Sequence, residues 1–293
     1  MATTNEIKQE LSAIGQIKQI TNAMYLLSVA SARKGISNIA INDRYMHSVR
    51  QAMRDIVSVD PEQKHEFIDN HSGTSDRAAF VILGGDKGLC GGYNANLLRR
   101  LLSEMQKHRE CYIICSGKRM SEMLLARDIH IDEDLSVAGG YPKIHYARVI
   151  ASHLLEMLKN DEISEANIIF TDYVTAAEQI VRCVTLFPLE PTDFTDEKGE
   201  SRLPADTIFE ENEKKSLDVL VPQYAVGYIY GALCNAYTSE HYARMNAMQE
   251  ATRNADEMIT LLGTKFNEAR QLAITNELVE IASATTLYEE KSI

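Results

Sequence analysis

Helix breakers are scarce at both ends of the chain. None of its six prolines falls before Pro61 or after Pro222, and glycine occurs only at Gly15 and Gly35 in the first stretch and at Gly227, Gly231 and Gly263 in the last. Two long helices can therefore run uninterrupted. Cysteine is also sparse: the five (90, 111, 115, 183 and 234) form no CxxC pair and no zinc spacing, so they read as small hydrophobes kept reduced. No apolar run approaches the roughly 20 residues of a membrane span, and no secretion signal precedes "MATTNEIKQE". The expectation is a soluble intracellular protein without lipid insertion. Basic residues are outnumbered, 30 Lys and Arg against 42 Asp and Glu, which disfavours general nucleic-acid binding. The deficit is uneven: residues 1–59 hold seven Lys/Arg against four Asp/Glu, a charge of +3, so the rest of a chain of net charge −12 carries −15. A basic end on an acidic chain suggests an acidic partner for that end.

Apolar residues along the first helix, predicted over 1–58, recur at Ile7, Leu11, Ile14, Ile17, Ile20, Met24 and Leu27, then at Tyr45, Val49, Met53 and Ile56. At 1.5 Å per residue that helix is roughly 80 Å long. A polar linker (59–77) follows. From 78 to 190 strand-like runs (78–83, 111–115, 166–172, 180–186) alternate with helix-like ones (93–107, 118–127, 141–159), the pattern of an open α/β sheet. An acidic loop (191–207) leads to a helical segment and the last long helix (208–293). There Ala255, Ile259, Leu262, Phe266, Ala269 and Ala273 form a heptad seam. The fold class expected is α/β: a long antiparallel coiled coil of N- and C-terminal helices with an inserted open, Rossmann-like sheet domain. The alternatives are that each long helix is a bundle helix in a larger globule or dimerises with another copy.

"FVILGGDKGLCGGYNANLLRR" (80–100) raises the question of a phosphate cradle. It lacks the lysine and hydroxyl of a P-loop, and its glycines at 84, 85, 88, 91 and 92 miss the GxGxxG spacing. Glycines after a strand also serve tight turns, so Gly88, Gly91 and Gly92 read as a structural turn. The eight histidines form no HExxH, Ser116 has no GxSxG elbow, and Asp132, Glu133 and Asp134 read as a solvated acidic turn. No catalytic, metal or cofactor site is expected.

The C-terminal run "SEHYARMNAMQEATRNADEMITLLGTKFNEARQLAITNELVEI" resembles the last helix of the gamma subunit of F-type ATP synthases. The matching pieces are "SEH", "ARM" with Ala247 and Met248, "AT", "NA", "N-x-AR-Q", "AIT-x-EL" and "EI". "IKQITNAM", the pair Arg33–Lys34, "DKGLCGGYN", "VTLFPL" and "LDVLVPQY…IYGAL" fit the same family in order. The chain departs from it at Asn22 and Ser31, where lysines are usual, and at Ser283–Ala284–Thr285.

The resemblance implies a central rotor without a catalytic site of its own. Its coiled coil would stand in a ring of alternating alpha and beta subunits. Its sheet domain would form a foot, seated with an epsilon subunit on the membrane c-ring, peripheral to the cytoplasmic side of a bacterial membrane. It also implies rotor–stator contacts at Met24, Arg33, Lys34, Arg244, Arg270, Gln271, Thr275 and Glu277. Arg244 has a second reading, an i, i+4 pair with Glu240. Two other functions stay open: a divergent paralogue in a non-standard ATPase, and a nucleotide-sensing regulator that dimerises through its long helices.

Overall fold

The computed structural model describes residues 4–59, 67, 75–135, 140–176, 178–190 and 213–290, with the backbone alone at 58–59, 213–215 and 283–290. Residues 60–66 and 68–74 of the polar linker, the acidic loop and the side chains of Ser283–Thr285 lie outside the described residues. The elements run α1 (Thr4–Val59), β1 (Arg77–Leu83), α2 (Tyr93–Met105), β2 (Glu110–Ser116), α3 (Lys118–Leu125), β3 (Glu133–Asp134), α4 (Ile144–Lys159), β4 (Glu165–Tyr173), β5 (Gln179–Phe187) and α5 (Glu213–Glu290). The last helix starts nine residues before Pro222 (at Glu213), with that proline inside it.

The chain divides into two units, Met1–Leu27 with Met245–Ile293 and Ser28–Arg244. In the larger unit five strands lie in the order β3-β2-β1-β4-β5, parallel except for the antiparallel β4–β5 hairpin. Side chains alternate across the central strand. Ala79, Val81 and Leu83 face a core that includes residues of α1, α4 and α5, and Ala78, Phe80 and Ile82 face one built with α2 and α3. The acidic stretch after α3 is not a solvated turn. Glu133 and Asp134 pair with Ile114 and Cys115 as the edge strand β3. Asp132 accepts a hydrogen bond from the Ile113 amide at 2.8 Å and pairs with Arg77 at 3.0 Å, so the carboxylate finishes the sheet edge.

The smaller unit is a helix pair. Ile7, Ile14, Ala255 and Leu262 are buried together, with Leu11, Ile259, Phe266 and Ala269 packed on them. Thr21 bonds Thr252 at 2.7 Å and Lys18 pairs with Asp256, so residue numbers rise along one helix as they fall along the other. The pair is antiparallel. The seam ends at Ala269, because Ala273 is exposed. On α1 the expected stripe also changes: Ile17, Ile20 and Leu27 are exposed by 52–70%. The buried positions step by seven instead, through Ile7, Ile14 and Thr21 in this unit and Ser28, Gly35, Asn42, Val49 and Ile56 in the larger one. Small and polar residues fill the middle of that series because the helices approach closely. Within the larger unit a side chain on Gly35 would overlap Thr238, one on Gly227 would overlap Met46 and Tyr45, and Asn42 donates to the Gly227 carbonyl at 3.1 Å.

Candidate functional site

In an open parallel sheet a ligand crevice forms where the strand order reverses, beyond the carboxyl ends of the strands. Here that place is between β1 and β4, and the glycine run follows β1 directly. The Gly84 amide continues the sheet by donating to Ser116 O at 2.9 Å, and the Gly85 amide donates to Asn94 Oδ1 at 2.8 Å. Leu89 and Gly91 take left-handed conformations (φ 63° and 56°), and Gly92 caps α2. Gly91 thus supplies turn geometry. Gly92 is the second central residue of the same turn, which the Tyr93 amide closes by donating to Cys90 O at 3.3 Å, and Gly88 lies in the bend before it; neither takes the left-handed conformation, and a side chain on Gly88 would meet open space. Gly84 and Gly117 are the close approaches, since a side chain on the first would overlap Met120 and one on the second the Gly84 carbonyl.

The crevice is filled from within. Glu240 and Arg244, one turn apart on α5, form an ion pair with side chains 7% and 6% exposed. The Glu240 carboxyl carbon lies 3.1 Å from where a Gly85 Cβ would be. Arg244 Nε donates to Gly88 O at 3.3 Å and its Nη2 to Lys87 O at 3.4 Å. Tyr93 OH donates to Ala236 O at 3.1 Å from the other side. An anionic group does occupy the cradle, and it is the chain's own carboxylate. Burial pushes the Glu240 carboxyl up, against the opposing pull of Arg244. His241, beside them, is pushed down to about 4 by burial and then by the charges of Arg244 and Lys87. The i, i+4 spacing signals the pair. Nothing in the sequence signals that it reaches the glycine turn, 156 residues away.

Each residue expected at a rotor–stator contact has a definite place. Arg244 points inward onto the glycine turn, so its ion pair with Glu240 is the reading the geometry supports. Arg33 is exposed. Lys34 lies 4.1 Å above the Tyr141 ring, whose hydroxyl accepts from Asn38 at 2.9 Å. Met24 is half-buried. Arg270, Gln271, Thr275 and Glu277 lie within a stretch, 270–282, where every residue is exposed. Thr275 donates to Gln271 O at 2.8 Å, and Arg270 and Glu277 form no ion pair among the described residues. Among those residues no group of three potential metal ligands converges, and no helix is long and apolar enough to cross a membrane. All five cysteines are free, with Cys115, Cys183 and Cys234 pushed up to about 11 by burial.

The family model described as ATP synthase matches residues 3–286. The ATP synthase gamma chain of Ruminiclostridium cellulolyticum is 30% identical over 288 residues, covering 97% of this chain and 98% of its own. That of Staphylococcus aureus is 30% identical over 293 residues, covering 99% and 100%. In fold, the chain is similar to one in the cryo-EM structure of the Euglena gracilis mitochondrial ATP synthase OSCP/F1/c-ring assembly, with TM-score 0.70 at 18% identity, covering 99% and 96%. A chain of the rotor from the same organism gives 0.64 at 16% identity, covering 92% and 98%. With a family model spanning nearly every residue and relatives at 30% identity over their full length, the chain belongs to the ATP synthase gamma chain family.

Proposed function

We propose that the chain is the central shaft of an F-type ATP synthase, coupling ion flow through a membrane c-ring to ATP synthesis or hydrolysis in a ring of alpha and beta subunits. Whole-length membership of the gamma chain family carries this reading. The antiparallel α1–α5 pair stands in the ring, and the sheet domain, with an epsilon subunit, faces the c-ring on the cytoplasmic side of a bacterial membrane. The chain contributes no catalytic group, and nucleotides bind on the alpha and beta subunits. The filled crevice supports this over a nucleotide-sensing regulator, because the buried Glu240–Arg244 pair packs against the glycine turn at the switch point.

A shaft biases the ring's sites through contacts that differ with its angle. Such contacts need exposed side chains, which Arg270, Gln271 and Glu277 have. Met24, with the exposed Ile17, Ile20 and Leu27 beside it on α1, and the basic pair Arg33 and Lys34 give the ring apolar and cationic surfaces. Thr275 lies one turn beyond Gln271. In the reconstituted complex, Arg270→Ala with Gln271→Ala removes donors worth about 0.5–1.5 kcal/mol each. ATP turnover and ion pumping should both fall several-fold with subunit content unchanged. Wild-type rates would make these side chains passive surface.

A further inference from the structure

Within the sheet unit, a cavity of about 290 Å³ lies between α1, α5 and the β4–β5 hairpin, and it shares no lining residue with the glycine turn. Most of its polar groups are already engaged. Arg182 Nε donates to Asp172 Oδ2 at 2.6 Å, and Asn42 Nδ2 to Gly227 O at 3.1 Å. Asn235 accepts from the Tyr173 amide at 3.3 Å and donates to Gly231 O at 3.0 Å. Two charges are left. Arg50 Nε is buried and finds no acceptor among the described residues. Asp43, seven residues earlier on α1, forms no hydrogen bond or ion pair with any of them. Burial pushes the Asp43 carboxyl up, the Arg50 guanidinium pulls it back and Asp172 opposes that pull. The spacing puts Asp43 and Arg50 on one face of α1, roughly 10 Å apart along its axis. Helical side chains lean towards the N-terminus, which brings the guanidinium closer to the carboxylate. Asp43 is exposed, so a small molecule can enter from its side.

We propose that this cavity binds a small zwitterion, an ω-amino acid whose carboxylate accepts from Arg50 and whose ammonium donates to Asp43. Charge decides the class. Asp172 and Arg182 neutralise each other, so one guanidinium and one carboxylate remain for a ligand. A simple anion would satisfy Arg50 but face Asp43, and a simple amine would do the reverse. A buried donor without an acceptor is costly, so an oxyanion that reaches Arg50 Nε is favoured there. The distance between the two groups decides the length. An α-amino acid carries both charges on one carbon, too close together to meet Asp43 and Arg50 at once. A chain of several methylenes spans them, and Met46, Phe170 and Val184 give it an apolar wall. The volume, near the lower end for small-molecule pockets, suits a ligand of that size.

Isothermal titration calorimetry of the full-length chain tests this with three probes of similar length: 6-aminohexanoate, hexanoate and hexylamine. The first should bind saturably, one per chain, and about tenfold or more tighter than either singly charged probe. Arg50→Gln and Asp43→Asn should each weaken it by about tenfold or more. Arg99→Gln, an exposed change on α2 at the other face of the sheet, should leave the affinity unchanged. Saturating 6-aminohexanoate should also raise the melting temperature of the wild-type chain more than that of Arg50→Gln. The comparison of probes needs only the wild-type chain, so it stands even where a variant fails to fold. Absence of saturable binding, or a singly charged probe that binds as tightly as 6-aminohexanoate, would overturn the proposal. So would an affinity that both cavity variants leave unmoved.

Discussion

At Gly117 the backbone takes φ 100°, and a side chain there would run into the Gly84 carbonyl. Gly88, by contrast, has open space where a Cβ would stand. Gly117→Ala should therefore cost about 1–3 kcal/mol of backbone strain before the overlap is counted. Gly88→Ala should stay within about 0.5 kcal/mol of wild type. Chemical denaturation of the full-length chain measures both, and equal effects would contradict the geometry. His241 gives a pH signature at the same scale. Its folded-state value of about 4 lies below the ordinary 6.5, so folding releases a proton between those limits. Its stabilising contribution is whole above pH 6.5 and is lost as pH falls towards about 4. Melting temperature should drop across that window, and His241→Phe should flatten the drop. A variant with the wild-type slope would mean that the ring titrates normally.

The two long helices were legible in the sequence as elements, because missing breakers and heptad spacing depend only on neighbours along the chain. Which face of α1 is buried was not. Ile17, Ile20 and Leu27 look like core but are exposed, while Thr21, Ser28, Gly35 and Asn42 form the seam. Hydrophobicity cannot separate a stripe awaiting a partner from a seam narrowed by small residues. Only the opposing residues, Gly227, Gly231 and Thr238, reveal the close approach. β3 escaped notice for a related reason, since two acidic residues at a sheet edge carry no apolar alternation. On α5 the seam was placed correctly from Ala255 to Ala269 and one heptad step too far at Ala273. Leu262→Asp should accordingly destabilise the helix pair by about 2–5 kcal/mol, through lost packing and an unpartnered carboxylate. Ala273→Asp should be close to neutral. Thermal unfolding of the two variants distinguishes them, and a stable Leu262→Asp would mean that the helices pair in another register.

For the molecule as a whole, the glycine run was the feature most open to misreading. A strand, a glycine turn and a helix suffice for a nucleotide crevice, and the strand order β3-β2-β1-β4-β5 puts the switch point beside it. What closes the crevice comes from α5, more than 150 residues further on, and no local motif could announce it. A sheet domain whose ligand site is occupied by its own long helix is suited to holding that helix. Rotation of the assembled complex tests this account most directly. With the alpha/beta ring fixed to a surface and a bead tethered at the exposed turn around Arg127, adding ATP should turn the bead steadily in one direction. A bead that stays still while the same complexes hydrolyse ATP would contradict the role of this chain as the rotating shaft.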